Sequence, residues 1–88
     1  MNDLIEDNYT STVKRGKITP STTKRDFQHK ILEEFDELSD ATLYDDAKSE
    51  AEEIADIILV CLNYAKHFDI DIEQELKKKV QFNFNRLD

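Results

Sequence analysis

A small all-α helical bundle is the fold this sequence predicts, and three observations carry that expectation. The 88 residues include one Gly and one Pro, too few for the tight turns of an all-β chain. Hydrophobic residues make up 39% of the chain, too high a share for a chain that stays disordered. Apolar residues also recur at helical spacing over three long stretches. A chain this short is expected to form a single domain over residues 1–88.

Residues 1–20 are weakly patterned. Leu4, Ile5, Tyr9 and Val13 mark one side of a short helix, but Thr10, Ser11 and Thr12 are poor helix formers. Gly16 and Pro20 bracket a loop. Ser21, Thr22 and Thr23 offer N-caps, and Asp26 stands three residues after Thr23 in a capping-box arrangement. Phe27, Ile31, Phe35 and Leu38 then define a helix over 24–40. Residues 39–46 read as a connection, and a second helix is expected over 47–67. Asp69 and Asp71 mark a break. Asp71, with Gln74 three residues on, caps a third helix over 72–86, whose apolar stripe is Ile72, Leu76, Val80, Phe84 and Leu87.

The charge balance is 20 acidic against 12 basic residues, a net −8. That excludes coating a nucleic acid duplex and disfavours anionic membrane surfaces. The longest apolar run, Ile57 to Leu62, falls far short of the roughly 20 residues that span a bilayer. The N-terminal stretch lacks the basic start and apolar core of a secretory signal, so a cytoplasmic location is expected. Cys61 lies in the apolar run and reads as a buried, inert thiol.

The informative residues are carboxylates in unsuitable places. With Phe27 at zero and 100° per residue, Glu34 falls at about 340°, inside the apolar face, and Glu37 at about 280°, on its edge. In the second helix, apolar residues spread nearly all round, as in a buried helix, yet Glu53, Asp56 and Asn63 stand among them. If the two helices pack antiparallel, Glu34 and Glu37 face Glu53 and Asp56. Four converging carboxylates cannot all stay ionised without cations. Oxygen-only ligation suits Mg²⁺, Mn²⁺ or Ca²⁺. Neither His29 nor His67 stands three residues after a Glu, which disfavours iron and zinc and leaves both as surface residues. Protein-bound Mg²⁺ usually completes its shell with substrate phosphates. On the third helix, Lys79, Asn83 and Arg86 share one side and offer groups for those phosphates.

Glu33-Glu34-Phe35-Asp36-Glu37 matches Glu-Glu-x-x-Glu, and Glu53-Ile54-Ala55-Asp56 matches Glu-x-x-Asp, with residues 38–52 between them. Lys79 to Arg86 matches Lys-x-x-x-Asn-x-x-Arg. The ordered set resembles the MazG-like, all-α nucleoside triphosphate pyrophosphohydrolases over residues 24–86. The resemblance implies a Mg²⁺-dependent enzyme, with Mn²⁺ as a substitute, that cleaves an NTP or dNTP to the monophosphate and pyrophosphate. It implies that Glu34, Glu37, Glu53 and Asp56 ligate the metal and that Glu33 orients water. It assigns the phosphates to Lys79, Asn83 and Arg86, and the sugar or base to Asn63. Trp is absent, so Phe27, Tyr9 or Tyr44 would contact the base. A thin core implies completion of the bundle as a homodimer or homotetramer. A non-catalytic helical oligomerisation or partner-binding module, or a degenerate nucleotide binder, fits the same helices. Both differ from the enzyme in releasing no pyrophosphate.

Overall fold

The computed structural model describes residues 2–87. Four helices follow in order: α1 (Asn2–Lys14), α2 (Lys24–Leu43), α3 (Ala47–His67) and α4 (Ile72–Asn85). No strand occurs among the described residues, so the all-α class is confirmed. None of the helices is long and apolar enough to cross a membrane.

Local chemistry sets the helix ends. Thr23 Oγ1 accepts from the Asp26 backbone N–H at 3.1 Å, and Asp26 accepts from the Thr23 N–H at 2.8 Å, a reciprocal capping box. Asp46 and Asp71 cap α3 and α4 by accepting from the N–H groups of Ser49 and Gln74. Two non-Gly residues with positive φ, Asp45 (53°) and Asp69 (56°), turn the chain after α2 and after α3. Asp tolerates this left-handed region better than most residues.

Three boundaries differ from the expected ones, the slightest being α4, which ends at Asn85 with Arg86 as its C-cap. The weakly patterned N-terminus forms a full helix, because Asn8, Tyr9 and Thr12 find partners on or along α1 and on α3 that local propensity does not foretell. Helix α2 runs three residues past Asp40, and Thr42 Oγ1 donates to Leu38 O inside it. The expected α3 span is observed without change.

Helices α1 and α2 both pack on α3, and their backbones do not approach one another closely. One end of the assembly is pinned by rings. Phe27 stacks on Tyr64 with centroids 5.2 Å apart and meets His67 and Phe68 at its edges. The Tyr9 hydroxyl and His67 Nδ1 are 2.7 Å apart, tying α1 to the same cluster. Lys66 and Glu6 add an ion pair between α3 and α1. His67 is therefore half-buried in an aromatic cluster rather than a surface residue, whereas His29 is exposed as expected.

Buried apolar side chains are few: Ile18, Phe27, Ala41, Leu62 and Ala65. The α3 face carrying Ile54, Ile58 and Cys61 is open in the single chain, so neither a wholly buried α3 nor a buried Cys61 is observed. Partial desolvation still pushes the Cys61 thiol pKa up, in keeping with low reactivity. Helix α4 touches only α3 and exposes Leu76, Val80, Phe82 and Phe84.

Replacing Thr23 with Ala removes half of the capping box. The variant is expected to lose about 1 kcal/mol of stability in denaturant titration, with the native far-UV CD spectrum retained.

Candidate active site

The open angle between α1 and α2 forms a cleft of about 610 Å³ with α3 as its floor. Asp56, Leu59, Val60 and Asn63 line the floor. At 1.5 Å per residue, Asp56 and Asn63 lie about 10 Å apart along the helix. Phe27, Lys30, Glu33 and Glu34 line the α2 wall; Asn8, Thr12 and Arg15 line the other, continued by Lys17 and Ile18.

The acidic end carries the strongest electrostatic signal. Glu34, Glu37 and Glu53 bring carboxylate oxygens within 4.8 Å of one another across the α2–α3 seam. Glu34 is only 6% exposed. Its Oε1 meets Lys30 Nζ at 3.1 Å, one turn back on α2. Glu34 Oε2 and Glu53 Oε2 are buried and have no donor. Two ionised carboxylates in this position repel, so they hold a proton between them in the absence of a cation. The shared hydrogen bond with Glu34, burial and the charge of Glu37 push the Glu53 pKa up to about 7. Burial works against ionisation of Glu34 too, but the hydrogen bond from Glu53 and the Lys30 ammonium hold it below the usual carboxylate value.

A hard divalent cation suits this set. It would meet the two donorless oxygens and replace the shared proton, and the donors are all carboxylate oxygens. Asp56, one turn after Glu53, is exposed and lines the main cleft beside Glu34 and Glu33, outside the three-carboxylate cluster. Glu37 and Glu53 face a second, shallower hollow with Asp40, Tyr44 and Asp46.

Asn63 sits at the other end of the floor, 6% exposed. Asn8 Nδ2 donates to Asn63 Oδ1 at 2.8 Å and to Leu59 O at 3.2 Å. Asn63 Nδ2 in turn donates to Thr12 Oγ1 at 3.1 Å, and that hydroxyl donates to Asn8 O. These bonds fix the Asn63 amide in one orientation at the cleft surface. Of the three aromatic residues expected near a base, the structure brings Phe27 into the cleft. Tyr9 is engaged with His67, and Tyr44 lines the second hollow.

Lys79, Asn83 and Arg86 lie on α4 and just past its end, outside the cleft lining of this chain. Instead, the basic residues at the cleft are Arg15, Lys17, Lys30 and His29. Sequence reasoning passed over Asn8, Thr12 and Arg15, although their i, i+4, i+7 spacing marks one helix face.

Residues 2–81 match the family model for phosphoribosyl-ATP pyrophosphohydrolase. The chain belongs to that family, which places it among the nucleotide pyrophosphohydrolases, enzymes that act on phosphoanhydride bonds. Comparison with curated proteins and with solved structures gave no match.

The raised Glu53 pKa has a signed consequence for the metal-free chain. Its folded value exceeds the ordinary 4.5, so its stabilising protonated form is fully present below that pH. That contribution is lost as pH rises through about 7. Glu53→Gln is therefore expected to melt above the unsubstituted chain at pH 8 in EDTA, and close to it at pH 5. Thermal melts at the two pH values check this.

Proposed function

We propose that this chain hydrolyses a nucleoside or deoxynucleoside triphosphate to the monophosphate and pyrophosphate, with Mg²⁺ held by Glu34, Glu37, Glu53 and Asp56. The proposal rests on one observation above the others: two buried carboxylate oxygens from different helices stand together without a donor. Membership of a nucleotide pyrophosphohydrolase family and the MazG-like motif order support the same chemistry. When bound, Mg²⁺ would polarise phosphate oxygens and lower the pKa of its water.

The chain's own residues supply the rest. Glu33 is exposed at the cleft beside Glu34, where it can take a proton from an attacking water. The new bond forms between that water oxygen and the α-phosphorus, the α–β bridge bond breaks, and pyrophosphate leaves with the electron pair. Lys30 pairs with both Glu33 (3.5 Å) and Glu34 (3.1 Å) and holds the two side chains in register. Phe27 and the fixed Asn63 amide form the surface for the nucleoside.

Lys79, Asn83 and Arg86 serve the outer phosphates in this proposal by entering the site across a subunit contact. The exposed Leu76, Val80 and Phe84 on α4, and the open α3 face, call for a second copy of the chain. A homodimer or homotetramer completes the bundle. Light scattering at micromolar concentration is expected to show at least a dimer; a compact monomer would count against it.

Activity is tested by assaying pyrophosphate release from a panel of NTPs and dNTPs. Glu37→Gln and Asp56→Asn are each expected to lower kcat/KM by about 100-fold or more while leaving the CD spectrum unchanged. At about 100 times its Kd, Mg²⁺ should raise the Tm of the unsubstituted chain by about 10 °C. A helical module without catalysis would be indifferent to the metal. A degenerate binder would take up nucleotide with metal and release no pyrophosphate.

A further inference from the structure

We propose that Asn8 is a specificity-determining residue of the cleft: its carboxamide oxygen accepts a hydrogen bond from a donor on the nucleoside, so the site takes nucleotides that carry this donor over those that lack it. This rests on the nucleotide reading above and deepens it, since Asn8 lies on α1, outside the motifs of α2, α3 and α4.

Two backbone carbonyls fix the protons of the network that joins α1 to this end of the floor. A carbonyl oxygen only accepts. Leu59 O therefore faces the amide nitrogen of Asn8, at 3.2 Å, and sets which way that side chain is turned. The second hydrogen of Asn8 Nδ2 goes to Asn63 Oδ1 at 2.8 Å, which turns the Asn63 nitrogen toward Thr12 Oγ1 at 3.1 Å. At the far end the Thr12 hydroxyl donates to the second carbonyl, Asn8 O, at 2.8 Å. Turning either amide over would set two acceptors, or two donors, against one another.

What the network leaves over is mostly acceptor. Both hydrogens of Asn8 Nδ2 are engaged on α3. The Thr12 hydroxyl is saturated, because it donates to Asn8 O and accepts from Asn63 Nδ2 and, at 3.4 Å, from Arg15 Nη2. Asn63 keeps one N–H and one lone pair, on a side chain that is almost fully buried. Asn8 Oδ1 keeps both of its lone pairs, since nothing among the described residues donates to it. Asn8 is half-buried and lines the cleft beside Asn63 and Phe27. A ligand group placed against Asn8 Oδ1 therefore has to donate; an oxo group there would set lone pair against lone pair. The donor comes from one of two places on a nucleotide: an exocyclic amino group of the base, or a sugar hydroxyl.

The test is binding calorimetry with Mg²⁺ on the full chain, on the isosteric variant Asn8→Leu and on Asn8→Ala. The probes are the α,β-methylene analogues of ATP, ITP and 2′,3′-dideoxyATP, whose carbon bridge stops cleavage, so affinity is read apart from turnover. ITP replaces the amino group with an oxo group, and the dideoxy analogue removes both sugar hydroxyls. The unsubstituted chain is expected to prefer the ATP analogue to one of the other two by about 10-fold. Each variant should bring that ratio to within about twofold of unity. A preference over ITP that the variants lose assigns the donor to the base; one over the dideoxy analogue assigns it to the sugar. Far-UV CD checks the fold of each variant, and one folded variant suffices. No preference in the unsubstituted chain overturns the proposal. So does a preference that the variants keep while binding all three analogues more weakly, which would mark a structural role. Failure of every analogue to bind would instead overturn the nucleotide reading itself, whereas binding of all three without preference would overturn the role of Asn8 alone.

Discussion

Two carboxylates pressed together across the seam between α2 and α3 set the terms for the rest of the molecule. Glu34 and Glu53 each bury an oxygen that no protein donor reaches. Such an arrangement is unfavourable for folding alone, since like charges in a poorly hydrated place repel. A small bundle could have filled the seam with Leu or Ala. Lys30 offsets part of the charge from within α2, and a shared proton offsets more. The remaining imbalance is the kind that perturbs pKa values at functional sites.

The geometry around that pair divides the labour along the cleft. Acidic groups gather at the Asp56 end, and neutral amides, Phe27 and unpaired cations lie toward Asn63. A nucleotide has the same polarity, with a phosphate chain at one end and an apolar, hydrogen-bonding nucleoside at the other. Helix α1 makes this division possible because its backbone packs closely on α3 and not on α2. A tighter bundle, with α1 packed against α2, would fill the space that now forms the cleft.

Much of this was legible in the sequence. Capping residues Thr23, Asp46 and Asp71 act within one helical turn, so the starts of α2, α3 and α4 follow from local chemistry. The misplacement of Glu34 and Glu53 on apolar faces follows from helical periodicity alone. The α1 helix was less legible because its partners are more than 50 residues away: Asn8 with Asn63, and Tyr9 with His67. The exposure of Cys61 and of the α3 face beside it was not legible for a related reason. An apolar residue declares that it avoids water, but not whether its own chain or another covers it.

The sequence by itself determined the helical class, the helix starts and the presence of carboxylates where solvated acids do not belong, because each depends on contacts within a few residues. The tertiary structure alone decided that Glu34, Glu37 and Glu53 converge while Asp56 opens to the cleft. It also decided that Arg15 and Lys17 line the opposite wall while Lys79, Asn83 and Arg86 stay outside. Those placements depend on the angle at which helices meet, and that angle is fixed by packing between residues distant in the chain.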